Sequence, residues 1–430
     1  MFQSKKILPS FFMFFFVTST LTYDMVGQCT SNCSGTNSFL GTNAGRDNTS
    51  GGENSFYGRF AGVLNTTGDD NSFFGSSAGF ANTTGNDNSF FGRGAGFANT
   101  TARDNSFFGS DAGLLNTTGN NNSFFGSDAG RDNTSGEGNS FFGQDSGRDN
   151  TGSNNSFFGR RAGFNNISAN NNSFYGSDAG RNNTIGVDNS FFGSDAGLLN
   201  TSGNDNSFFG ERAGSNTVSG SNNSFFGRDA GLNNITGHNN SFFGTDAGGA
   251  ITGSNNVIIG KGAGPTFANA SVSDRLYIDF VNSLDGNDNP LIYGEFDNDF
   301  VRINGTFEVT AGLTNPSSIK LKDRFATVAP MLVLDKINQL DISEWSYKSD
   351  PDVRHIGPTA ESFYEAFGLG TGGDNISTID ADGVSLIAIQ ALTQEIADQQ
   401  EQLTKKDQEI KNLEERLLRI EKLLSSDKEE

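Results

Sequence analysis

The chain has 430 residues, room for two or three domains, yet it carries 56 Gly and 41 Phe against 1 Trp and 4 Met. That skew toward one aromatic argues for a short unit copied many times rather than the mixed apolar core of a compact enzyme. A formal net charge of −21 offers no basic stripe to displace counterions, which excludes nucleic acid as a partner, and the acidity favours solubility and repulsion between surfaces.

At the start, Lys5 and Lys6 precede the apolar run FFMFFFV within Ile7 to Thr22, and Gly27 is a small residue at a cleavage point. Residues 1–27 therefore read as an export signal. The run is short and interrupted by Ser and Thr, so no membrane span is expected once the signal is removed. The expected location is secreted, extracellular or at a cell surface. Cys29 and Cys33 are the 2 cysteines of the chain. In an exported protein they are expected to form a disulfide, within one chain or between chains. Two cysteines without a nearby histidine do not make a zinc site, and no metal or cofactor is expected.

From Asn37 to Gly264 the sequence repeats the unit NSFFG, a polar pair, AG, then a turn such as LLNTTGND. The opening Asn stands at Asn37, Asn54, Asn71, Asn88, Asn105, Asn122, Asn139, Asn155, Asn172, Asn189, Asn206, Asn223, Asn240 and Asn256, in steps of 17 with two of 16. Seventeen residues are too few for the helix pairs of α-solenoids. Ser-Phe-Phe suits a pleated surface, and the Gly, Asn and Thr clusters suit turns. The expected fold is mainly β: a parallel β-roll or solenoid over 28–264, one coil per repeat, with strands about 4.8 Å apart and a rod on the order of 65 Å long.

Neighbouring side chains on a strand point to opposite faces. One aromatic column (Phe73, Phe90, Phe107, Phe124) can fill the coil, which leaves the other (Phe74, Phe91, Phe108, Phe125) as an outer stripe. Soluble monomers rarely expose so much apolar surface, so identical chains are expected to cover it in a symmetric oligomer. The position before the opening Asn holds Asp70, Asp87, Asp104, Asp188 and Asp205, but Asn121, Asn154, Asn171, Asn222, Asn239 or Gly138 elsewhere. A calcium-binding roll is the alternative, but calcium needs carboxylates in fixed number, whereas turn hydrogen bonding is indifferent to Asp or Asn. The unit NSFFGSDAG resembles the head repeats of YadA-like trimeric adhesins. That resemblance implies a trimer of parallel β-rolls and a ligand on a host surface or a glycan.

Residues 265–316 change texture. RLYIDF, PLIYGEF and FVRINGTFEV read as short strands with hairpin turns, a small β neck, with Tyr277, Tyr293 and Phe296 as packing residues. From Ser317 the runs SSIKLKDRF, LDKINQLDISEWSYK, VRHIGPTAESFYEAFGL and STIDADGVSLIAIQALTQEI follow in order, with Trp345 and Tyr347 as core candidates. This order resembles the peptidase S74 domain, the intramolecular chaperone of tail fibres and endosialidases. The resemblance implies an α+β domain over 317–384 that trimerises, assists folding of the preceding fibre and cuts itself off. It assigns a catalytic Ser–Lys dyad to Ser317 and Lys322, with scissile bond Pro316–Ser317, and gives His355 an assisting or orienting role. Ser318 stands where that family carries Asp. A fibre whose cap stays attached without cleavage is the alternative.

Residues 385–430 read as a coiled coil. Ile389, Ile396, Leu403, Ile410, Leu417 and Leu424 recur every 7 residues, with Leu392, Gln399, Lys406, Leu413 and Ile420 interleaved. The expected assembly is a homotrimer, its three-strandedness implied by the resemblance.

Overall fold

Each Ser-Phe-Phe triplet forms a three-residue strand, and successive triplets stack in parallel from β1 (Ser38–Leu40) through to β14 (Val257–Ile259). Register is kept residue for residue: Ser106 lies on Ser123, Phe107 on Phe124 and Phe108 on Phe125. The two shorter repeats do not break it, since Phe141 still pairs with Phe157 and Phe242 with Ile258. The expected solenoid, one coil per repeat, is what forms. The structure is a computed structural model that describes residues 37–265, 270–280, 290–305, 307, 308, 310, 317–348, 350–370 and 372–426. The expected export signal, Cys29, Cys33 and Pro316 lie outside the described residues. The chain divides into two compact units after Phe307.

The first aromatic of each strand points inward and is fully buried from Phe56 to Phe242. It packs with the Ala that follows the polar pair into one continuous core. The second points outward and is stacked as regularly: Phe107 and Phe124 are 4.7 Å apart at 5°, Phe108 and Phe125 4.8 Å apart at 4°. Strand spacing, rather than any preference of rings for a sandwich, sets this distance. Stacking has a consequence for the outer stripe. Each ring covers its neighbour's face, so Phe74 to Phe209 are half-buried within a single chain. Exposure rises toward the end of the column, at Phe226, Phe243 and Ile259.

Asparagine fills the remaining interior positions, and it does so as two ladders. The opening Asn of each coil donates Nδ2 to a carbonyl of its own coil, as Asn54 does to Gly68 (2.8 Å). Its Oδ1 accepts the backbone N–H of the next opening Asn (Asn71 to Asn54, 3.0 Å). A second column eleven residues on, including Asn65 and Asn82, links Nδ2 to Oδ1 between coils at 2.7 Å. It clamps the same carbonyl, with Asn65 3.0 Å from Gly68. Both columns are fully buried from Asn48 onward, and a buried amide is tolerable only when paired in this way.

Backbone conformation explains the rest of the consensus. The residue before the opening Asn has φ near +58° at Asp70, Asp87, Asn121, Asn171 and Asp205, and Gly138 takes φ +66° at the same place. Asp, Asn and Gly are the residues that adopt this left-handed region most readily, so geometry accounts for their interchange. The Gly after Phe-Phe is held more tightly still. Gly109 has φ +148°, and a Cβ there would lie 2.3 Å from the carbonyl oxygen of Gly126 in the next coil.

The neck strands continue this sheet. β15 (Arg275–Ile278) stacks in parallel on β14, and β16 (Ile292–Glu295) and β17 (Phe300–Ile303) extend it as an antiparallel meander. Tyr277 packs on the end of the core and meets Tyr293 edge to face. Phe296, expected to pack, is exposed at the turn that follows β16.

In the second unit, a 3-10 turn at Ile319–Leu321 precedes α1 (Pro330–Gln339), the hairpin β18 (Ser343–Tyr347) and β19 (Asp350–Gly357), α2 (Ala360–Phe367) and α3 (Thr378–Ser426). Pro330 stands in the first turn of α1, where its missing N–H costs nothing. Thr359 caps α2 and Gly368 ends it at φ +67°. Val333 of α1, Phe363 of α2 and Val384 of α3 form one small core, while Leu334, Ala388 and Ala391 form a second between α1 and α3. Trp345 is half-buried and Tyr347 exposed, so neither is the core residue their aromatic character suggests. They lie on the hairpin, where a bulge interrupts the register between them. α3 is 49 residues long, and its heptad residues from Ile389 to Ile420 are exposed along the single chain.

Candidate functional site: a serine–lysine pair at the start of the second unit

Lys322 is the fifth residue after Ser317, a gap of about 17 Å in an extended chain. An α-helix would not close it, since positions i and i+5 lie about 140° apart around the axis. The chain uses the tighter 3-10 turn at Ile319–Leu321 between two extended residues, Ser318 (φ −66°, ψ 139°) and Lys322 (φ −118°, ψ 144°). Ser318 caps the turn, its Oγ accepting the Lys320 N–H at 3.2 Å. Aspartate would do the same work, as both are favoured caps, so Ser318 preserves the local geometry. The result is a direct hydrogen bond: Lys322 Nζ donates to Ser317 Oγ at 2.7 Å.

This is the spacing at which an amine can take the proton of an attacking hydroxyl. A lysine does so only when water is removed from it, and here both side chains are exposed in the single chain. Their surroundings are apolar and uncovered: Ile319 is 75% exposed, Leu321 72% and Phe325 69%.

His355 lies elsewhere on the unit. Its ring stacks on Trp345 at 4.7 Å and meets Tyr347 edge to face at 5.3 Å. Among the described residues no hydrogen bond joins it to Ser317 or Lys322. The structure thus brings Ser317 and Lys322 together and sets His355 in an aromatic cradle on the hairpin. Beside α1 and α3 lies a largely apolar cavity of about 320 Å³, lined by Val328, Leu332, Phe367, Ile379 and Val384 among others. Sequence reasoning did not find it, because its walls come from three separate segments.

Fold and site together define a class: a parallel β-solenoid of repeated coils followed by a small α+β unit that opens on a Ser–Lys pair and ends in a long helix. The peptidase S74 family, described as the chaperone of endosialidase, has a family model that matches residues 317–368. The match begins at Ser317 and closes at Gly368, the end of α2. No curated protein and no solved structure matches the chain. No helix among the described residues is long and apolar enough to cross a membrane.

Proposed function

We propose that the protein is an exported, trimeric β-solenoid fibre of adhesin or tail-fibre type whose C-terminal unit directs assembly and then cleaves the chain between Pro316 and Ser317. The observation that carries this reading is the 2.7 Å contact between Lys322 Nζ and Ser317 Oγ, placed at the first residue of the segment the S74 family model matches.

The chemistry follows from those two groups. Lys322 takes the hydroxyl proton as Ser317 Oγ attacks the Pro316 carbonyl carbon, and the C–N bond breaks as the proton passes to the Ser317 nitrogen. The resulting ester is hydrolysed by water. The products are a fragment ending in the Pro316 carboxylate and one beginning with the free amine of Ser317, the hydroxyl restored. Activation requires a desolvated lysine. The exposed apolar residues around the pair and along α3 support a reading in which packing against identical chains supplies that desolvation, so that cleavage follows assembly.

Intact mass of the purified protein beside the Ser317→Ala variant tests the reading. Two fragments meeting at Pro316 and Ser317 in the parent, with an uncut variant, are expected. The exposure of the pair in a single chain favours one alternative, a cap that stays attached. Uncut chain in both samples would establish that alternative and remove self-cleavage.

A further inference from the structure

In a solenoid whose interior positions are all committed to stacking, ligand chemistry has to be sought in the columns that vary. Three of these, five, six and nine residues after the opening Asn, carry every Lys and Arg between 37 and 264 except Arg103. Across the second to sixth coils these columns enclose a groove of about 640 Å³. That size suits a short oligomeric ligand.

The groove opens beside Gly94, in a stretch where the column six residues after the opening Asn holds Phe60, Ser77 and Gly94 in place of Asp. Six residues after the opening Asn, the following coils carry Asp111, Asp128 and Asp145, whereas Gly94 stands in the fourth. A Cβ at Gly94 would meet Asp111 Oδ1 at 2.4 Å, so any side chain would occupy the space that glycine leaves open. On one wall Phe97 stacks on Phe80 at 4.9 Å and keeps 37% of its surface exposed, with Leu114 beside it. The other wall is polar. Arg93 pairs with Asp111 and donates to Ser110 Oγ at 3.0 Å, and Arg131 lies 3.7 Å from Asp128. Arg59 differs: its guanidinium sits 4.8 Å over the Phe60 ring, and among the described residues it has no carboxylate within ion-pair distance. Its planar fork is therefore available to a ligand.

An apolar shelf, serine hydroxyls, paired Arg and Asp side chains and one uncommitted guanidinium meet the needs of a sugar ring that carries an acid. The C–H face lies on the shelf, the hydroxyls bridge the Arg–Asp pairs, and a carboxylate accepts two hydrogen bonds from Arg59. We propose that this groove binds a short acidic oligosaccharide, with Arg59 as the residue that selects the carboxylate. The proposal gives the fibre reading a ligand class. It stands on the solenoid alone, so an uncleaved chain would leave it untouched.

Calorimetric titration of the full chain with trigalacturonate, maltotriose and triglutamate tests it. Trigalacturonate is expected to bind and the other two to bind at least about tenfold more weakly, the difference a charge-assisted hydrogen bond makes. Arg59→Ala is expected to weaken trigalacturonate binding by about the same factor. Gly94→Asp is expected to abolish it, because a side chain there fills the space beside Asp111, and a cooperative melt of the variant shows that it is folded. Absence of trigalacturonate binding, equal binding of maltotriose or of triglutamate, or full retention in both variants would overturn the proposal.

Discussion

Burial works against Asp149. Its carboxyl is pushed above the ordinary value of 3.8 chiefly by desolvation, with Asp132 beside it adding to the rise and Arg148 opposing it. A raised value means that the folded chain holds this proton more firmly than the unfolded one. The site therefore costs stability at neutral pH, and that cost is relieved as pH falls through the folded value toward 3.8. The same column elsewhere carries Asn165, which donates to Asn182 at 2.9 Å, and Asn216, which donates to Asn233 at 2.8 Å. Asp149→Asn should raise the melting temperature at pH 7 by roughly 1–2 °C, the effect of a few tenths of a kcal/mol in a half-exposed site. The gain should vanish below about pH 3, where parent and variant are both uncharged. Calorimetric melts at the two pH values decide it, and an equal gain at both would show that charge is not the cause.

At the scale of the element, the two Asn ladders and two Phe columns divide the work. Near its end the second Asn ladder is interrupted by Thr217, whose Oγ1 is buried without a partner, as are Asn200 Oδ1 before it and both amide atoms of Asn234 after it. An asparagine there would donate to Asn200 and accept from Asn234. Thr217→Asn should therefore stabilise the solenoid by about 1–2 kcal/mol, read as a shift of the denaturation midpoint at unchanged slope. A lower midpoint would mean that this coil has closed around threonine.

The Phe columns should separate by readout. Phe124→Ala opens a cavity in the core and should cost about 3–5 kcal/mol. Phe125→Ala, on the half-buried outer column, should cost less in chain stability. If identical chains cover that column, it should also weaken association, measured by sedimentation. Equal effects of both variants on stability and none on association would remove the outer stripe as an interface.

At the scale of the whole molecule, the heptad residues of α3 are apolar and uncovered in one chain, with Ile396 65% exposed. Leu413→Asp, in the middle of that seam, should lower the oligomer to monomer by sedimentation and, if assembly arms the Ser–Lys pair, abolish cleavage in the same sample. Cleavage that persists in monomer would separate the two events. Truncation at residue 316 gives a companion outcome: an insoluble solenoid if the C-terminal unit assists folding, a soluble folded one if it does not.

Period, composition and spacing by themselves determined the solenoid, its parallel register and the alternation of inner and outer aromatics, whereas the pairing of Ser317 with Lys322 was legible only through the resemblance to the S74 domain. Each of the first three depends on local geometry or on a pattern repeated at a fixed step, and a fourteen-fold repeat makes such a pattern hard to misread. Only the tertiary structure decided how far the outer rings shield one another, since face-to-face coverage depends on the distance between coils. It also decided that the opening Asn is a buried ladder residue, because an amide looks alike in a turn and in a core until its partners are placed. Trp345 and Tyr347 moved from core to hairpin for a related reason: β18 and β19 form a two-stranded sheet of their own, and its aromatics pack on His355. The groove at Gly94 belongs to the same class. Its residues come from five coils, and no single repeat contains enough of it to be seen in sequence.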